Sequence, residues 1–159
     1  MRLNRGIVVC AIVFMTALFS CGPNVVYENT IQIPQEGWHK DTVAVFKSEV
    51  SNLGPACHLL LKVENTDAFA YSNIWFFVDA VSPSGKVQRD TLDCPLAAPA
   101  GDWYGKSGWG SDVFKSTHPY KLNIRFPEEG VYKYYVLQGM RDTVLTGVAG
   151  VGLKIIEVE

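Results

Sequence analysis

The side chains with the most chemical potential in this 159-residue chain are four cysteines, three histidines and one Gly-Lys-Ser triplet. Cys21 directly follows an apolar run, where a thiol nucleophile can accept a lipid before the leader ahead of it is cut away. Cys10 lies inside that run and leaves with it. Cys57 and Cys94 remain, and outside the cytoplasm such a pair can oxidise. Both sit in alternating segments beside apolar neighbours, Cys57 with Leu59, Leu61 and Val63, and Cys94 with Leu92 and Leu96. A buried free cysteine behaves as a small hydrophobe, so a Cys57–Cys94 disulfide and two buried thiols stand as open alternatives. Neither spacing suits zinc.

Ala100 to Ser107 matches the relaxed spacing of a phosphate loop, but the flanks are wrong. A working loop needs a buried strand before it and a helix after it, so that backbone N–H groups converge on phosphate. Here Pro95 and Pro99 precede it and Gly108-Trp109-Gly110 follows. His39, His58 and His118 accompany no nucleophile elbow, zinc helix or calcium loop. The glycines of Gly147-Val148-Ala149-Gly150-Val151-Gly152 lack dinucleotide spacing and suit a bulge or close packing instead. No catalytic, metal or cofactor site is expected, so the chain reads as a non-enzyme.

The leader has three parts: basic Met1–Arg5, fourteen apolar or small residues from Gly6 to Phe19, then Ser20-Cys21. That length fits a signal peptide and is too short to span a bilayer as a helix. Leu18-Phe19-Ser20-Cys21 resembles a lipobox. The expected organisation is a removed leader (1–20), a lipidated end with a short linker (21–24) and one domain (25–159). Arg2 and Arg5 fall in the leader, which leaves twelve basic against sixteen acidic residues and a formal charge of −4. No basic stripe is present, and nucleic acid is excluded as an expected partner.

Alternation with period two dominates the domain. Strands are expected near 25–33, 41–49, 56–64, 71–81, 86–92, 120–126, 130–138 and 148–158. Ile74, Phe76 and Val78 against Trp75 and Phe77 make 71–81 apolar on both faces, which predicts a central strand with its second face partly covered. Prolines and Gly-containing turns cut the chain into short pieces, and no capped amphipathic helix is evident. The predicted fold is all-β: an antiparallel β-sandwich of about eight strands in a single domain. The longest irregular stretch, from about Pro95 to Pro119, holds Trp103 and Trp109 and is long enough to suggest a function. Trp38, Trp103, Tyr104 and Trp109 also make a lectin-like, sugar-stacking face the alternative reading.

Taken together, the lipobox, Asn65…Tyr71-x-Asn73-Ile74-Trp75, Asp90-Thr91, Gly101-x-Trp103-x-Gly105, Gln138-x-Met140-Arg141 and Leu145-x-Gly147 resemble the GldH gliding-motility lipoproteins. The resemblance covers essentially the whole mature chain. It implies a lipoprotein that works with the envelope machinery for gliding and for type IX protein secretion, with no catalytic residues to transfer. Partners are then membrane lipid through acylated Cys21 and other motility or secretion proteins. Asp-Thr-apolar tripeptides in such bacteria resemble an O-glycosylation sequon, which marks Thr42, Thr91 and Thr143. Gly22 is not the aspartate of inner-membrane retention, and Pro23-Asn24-Val25-Val26 lacks an acidic export cluster. The expected location is therefore the outer membrane, facing the periplasm. The expected partner surface is Gly101, Trp103 and Gly105 on the long loop, with Met140 and Arg141 beside it.

Overall fold

The structure, a computed structural model, describes residues 24–108 and 110–158, so the leader, Cys21 and Trp109 lie outside it. Eleven strands and no helix occur among the described residues: β1 (Val25–Gln32), β2 (Trp38–His39), β3 (Ala44–Val50), β4 (Cys57–Thr66), β5 (Asn73–Val81), β6 (Val87–Pro95), β7 (Lys106–Ser107), β8 (Val113–Ile124), β9 (Gly130–Gln138), β10 (Val144–Leu145) and β11 (Val148–Glu157). One sheet has the order β1-β11-β4-β8-β7, the other β3-β9-β5-β6, and β10 and β2 form a small ribbon. Every pairing is antiparallel. The eight predicted strands are all present, and the three two-residue strands add to them.

Alternation explains how the sheets close on each other. On β3, Ala44, Phe46, Ser48 and Val50 are buried while Val45, Lys47 and Glu49 face out. Leu59, Leu61 and Val63 of β4 and Val151, Leu153 and Ile155 of β11 supply the opposite wall. The β2–β10 ribbon closes one end with Trp38, which is 1% exposed, stands 5.9 Å from the Phe76 ring and donates its indole N–H to Thr42 O. Phe126 and Tyr132, with centroids 4.8 Å apart, fill the other end.

Three local departures from expectation have identifiable causes. β8 starts at Val113, seven residues before the predicted strand, because its first inward residues are Ser116 and His118, whose polarity hides the alternation. Pro119 sits inside β8 opposite Leu60, next to a register shift. β7 pairs with β8 only at Lys115 and Phe114, so Pro119 lies on an edge where no N–H is required. β5 is central, between β9 and β6, yet its second face is not covered: Trp75 and Phe77 are 41% and 42% exposed.

Cys57 and Cys94 are both buried and free. Cys57 opens β4 and pairs with Ile124 and Glu157, whereas Cys94 pairs with Ile74 at the start of β5. Since β4 ends where β5 begins, the two thiols lie at opposite ends of the sandwich, on the order of 30 Å apart along a ten-residue strand. A disulfide tolerates Cα atoms no more than about 7 Å apart, so the bridge left open by the sequence is excluded within one chain. Burial raises the Cys57 thiol and pushes the Cys94 thiol up to about 12. We expect a thiol reagent to leave both unmodified in the folded protein and to label two sites after denaturation; rapid labelling of the native domain would refute their burial.

His118 is also buried, with Nε2 2.8 Å from Ser116 Oγ. Burial lowers its pKa from the ordinary value. The unfolded chain therefore takes up a proton below about pH 6.5 that the fold resists. The stability concerned is fully present above that pH and is lost as pH falls toward the depressed folded value, at no more than about 1.4 kcal/mol per pH unit. Urea titrations from pH 7.5 to 5 should show this slope, and His118→Gln should remove it.

Candidate partner-binding groove

The groove begins with the exposed face of β5. Trp75 and Phe77 alternate outward while Ile74, Phe76 and Val78 fill the core. Phe77 stands between Leu137 of β9 and Thr91 of β6, and Trp75 is opposite Asp93. Gly139 extends this row, donating its N–H to Trp75 O at 2.7 Å. A Cβ on Gly139 would come within 3.2 Å of the Phe77 ring and 3.3 Å of Trp75 Cβ, so its hydrogen leaves room for both aromatics. The result is a groove of about 460 Å³ bordered by Tyr71, Asn73, Trp75, Phe77, Met140 and Arg141, with Thr91 on its β6 side.

Its wall at residues 139–142 is built by Gln138, the buried last residue of β9. The Gln138 side chain accepts the Met140 N–H at 2.7 Å and donates to Asp142 O at 2.8 Å, so one amide fixes both sides of the turn. Tyr71 donates its hydroxyl to Asp142 Oδ2 at 2.7 Å, and that carboxylate raises the Tyr71 pKa. The Trp75 N–H points to Met140 Sδ at 3.4 Å. Asn73 donates to Asp93 Oδ1 at 2.6 Å, which holds the β6 side. The Asp142 carboxylate is thus engaged by Tyr71 and not by Arg141. Among the described residues Arg141 makes no ion pair and stays exposed beside the aromatics.

The outer face of the five-stranded sheet has the opposite character. Glu28 accepts from Lys62 at 2.6 Å and from Lys154 at 3.1 Å, which holds its carboxyl below the ordinary carboxylate value. Glu64 pairs with Lys115 at 3.1 Å, and Gly150 and Gly152 leave no side chains between these ions. One broad face is polar and self-satisfied. The other carries unpartnered aromatics.

The five residues expected to form the partner surface divide. Met140 and Arg141 line the groove. Trp103 instead pins the long loop to the sandwich: its indole N–H donates to Asp67 Oδ1 at 2.9 Å, and its ring stands 6.4 Å from Phe69 and 5.9 Å from Phe114. Gly105 precedes β7 and lies against β8, where a Cβ would sit 2.8 Å from Lys115 N. Gly101 makes a turn with φ +97° and borders, with Trp103 and Tyr71, a shallow depression adjoining the groove. Trp38 is core, so it cannot share a sugar-stacking face with Trp103 and the 57% exposed Tyr104, and Trp109 lies outside the described residues. Tyr71, Asn73, Trp75 and Phe77 are site residues that sequence reasoning did not select, although the doubly apolar β5 carried the signal. Thr42, Thr91 and Thr143 are all exposed, and Thr91 borders the groove. Among the described residues no cluster of His, Cys, Asp or Glu is arranged to hold a metal.

Residues 25–155 match a family model described as GldH lipoprotein. The chain belongs to the GldH lipoprotein family. It is 33% identical over 151 residues to a gliding motility lipoprotein GldH homolog of Christiangramia forsetii, covering 90% of this chain and 91% of that one. It is 28% identical over 159 residues to gliding motility lipoprotein GldH of Flavobacterium johnsoniae, covering 96% and 95% of the two chains. Among solved structures, that of infectious bursal disease virus Gx strain aligns with 86% of this chain and 30% of its own at 13% identity and a TM-score of 0.35. That likeness is too distant to inform fold or function. As a GldH-family lipoprotein, the chain is held at an envelope membrane by lipid. Three of the stretches that carried the resemblance converge in space, since Tyr71, Asn73, Trp75, Thr91, Met140 and Arg141 border one groove.

Proposed function

We propose that this chain is a non-catalytic docking subunit of the gliding-motility and type IX secretion machinery, and that it grips an envelope protein through the Trp75 groove. Its leader (1–20) is removed, Cys21 carries the lipid, and residues 25–159 form the domain, which faces the periplasm from the outer membrane. The observation that carries the docking role is the composition of the groove. Tyr71, Trp75, Phe77, Met140 and Arg141 are the residue types enriched at protein interfaces, and all but the half-buried Met140 are exposed on a face that nothing in the described chain covers. Asn73, Asp93 and Asp142 supply the polar rim that excludes water around such anchors. Thr42 and Thr143 remain open to O-glycosylation, whereas a glycan on Thr91 would fill the groove.

The test is crosslinking in living cells from a photoreactive residue at Tyr71. Capture of a motility or secretion protein, abolished by Arg141→Ala, supports this reading. Capture of glycan alone would transfer the groove to the carbohydrate-binding alternative. Digestion of the domain by protease on intact cells would overturn the periplasmic placement.

A further inference from the structure

Thirteen large apolar side chains are exposed among the described residues, and Val43, Val45, Tyr104 and Val144 are scattered singly. Tyr71, Trp75 and Phe77 line the groove. The largest group comprises Val25, Val26, Leu53, Val87, Leu122 and Val131, from five separate segments of the chain. Strand pairing gathers these segments at one end of the sandwich. Val25 pairs with Ile156, and Ile156 with His58 next to the start of β4. Leu53 lies between the end of β3 and Cys57. Val87 pairs with Val81 where the β5–β6 hairpin turns, and Val131 pairs with Glu49 near the end of β3. Leu122 precedes Asn123, whose φ of 53° and N–H bond to His58 Nδ1 at 2.9 Å mark the irregularity where β8 finishes.

Asn24 is fixed at the same end, its carbonyl accepting the Glu157 N–H at 2.9 Å. Only Gly22 and Pro23 separate it from Cys21, three peptide steps with a contour of at most about 11 Å. The opposite end lies on the order of 30 Å away along β4. A lipid on Cys21 therefore holds the apolar end, and no other, against the bilayer. Charges there are of both signs: Lys86 and Arg125 border one depression, and Glu128 is engaged by Ser84 at 2.7 Å. A mixed rim around small aliphatic side chains fits a neutral phospholipid interface better than an anionic one.

We infer that the end of the sandwich bearing Val25, Leu53, Val87, Leu122 and Val131 is a membrane-seating surface that rests its aliphatic side chains in the headgroup region of the leaflet holding the lipid. The groove then opens near the membrane-distal end, since Trp75 follows the start of β5 and contacts Gly139 beyond β9. This inference rests on the lipid at Cys21, and it does not depend on what the groove binds.

The experiment uses the lipidated chain in vesicles of phosphatidylethanolamine and phosphatidylcholine, with a fluorophore on a single added cysteine. Native Cys57 and Cys94 are buried and leave the label selective. Headgroup-quencher lipids should quench labels at Leu53→Cys and Val131→Cys at least fivefold more than labels at Thr91→Cys and Tyr104→Cys. Equal or inverted quenching, or no quenching at any site in a chain that floats with the vesicles, overturns the seating alone. A chain that does not float removes the anchor, and the seating with it, while crosslinking at the groove stands as a separate result.

Discussion

Gly147→Ala should be among the most damaging single substitutions in the domain. Gly147 joins β10 to β11 at φ +79°, a region that costs an alanine about 1–3 kcal/mol. Space is the larger difficulty. A Cβ there would lie 2.3 Å from Phe69 N, 2.5 Å from Phe69 Cα and 2.6 Å from Ala68 C, all of them backbone atoms that cannot rotate away. The approach is this close because Gly147 O accepts the Thr66 N–H at 2.8 Å, which ties the two turns together. The expected loss is on the order of 4 kcal/mol, a large share of the total stability of a domain this size. Thermal unfolding should shift down by roughly 15 °C. Gly101→Ala is the control that separates the two causes, since its φ is +97° but nothing lies within 4 Å of its added Cβ. It should cost only the conformational part. Equal effects from the two substitutions would show that φ alone, and not the Phe69 contact, makes Gly147 necessary.

That contact also links stability to the groove. Phe69 packs edge-on against Tyr71, with centroids 5.8 Å apart, and Tyr71 holds Asp142 on the far wall. Displacing the Phe69 backbone would move Tyr71 with it, so Gly147→Ala should weaken binding even at temperatures where the domain stays folded.

Much of the fold is legible in the sequence because alternation exposes a strand whenever its inward residues are apolar, as on β3, β4 and β9. The method fails where inward residues are polar. Ser116 and His118 satisfy one another inside the sandwich, so the first half of β8 reads as loop until Tyr120 restores the pattern. β5 shows a subtler limit. Its two apolar faces establish that both are hydrophobic, but hydropathy does not reveal what lies opposite each face, and only the sheet order leaves Trp75 and Phe77 uncovered. The groove is partly legible for the same reason. Met140 and Arg141 stand out by residue type, whereas their union with Tyr71 and Thr91 requires β5 to pair with both β6 and β9. The long loop misleads in the other direction: glycines and tryptophans suggest a free surface, but Trp103 bonds to Asp67 and Gly105 presses on β8.

Trp75→Ala and Trp103→Ala should therefore part company. Trp75 is 41% exposed and its indole makes no hydrogen bond among the described residues, so truncation removes little that the folded chain already buries. Its stability cost should be at most about 1 kcal/mol. As a central interface anchor it should contribute about 2 kcal/mol or more to partner affinity, a weakening of roughly 30-fold. Trp103→Ala removes a part-buried ring packed between Phe69 and Phe114 and leaves Asp67 without its donor. A fully buried aromatic costs about 3–5 kcal/mol to delete, so about 2–3 kcal/mol is expected here, with binding reduced only as far as the fold is. Melting temperature and partner capture measured on both variants decide the matter. A Trp75→Ala protein that melts normally and still captures its partner at wild-type levels would rule out the groove as the docking site. Lost capture in Trp103→Ala without loss of stability would return the site to the long loop. Arg141→Ala checks the same conclusion from the polar side: with no ion pair to break, it should leave the melt unchanged and weaken capture alone.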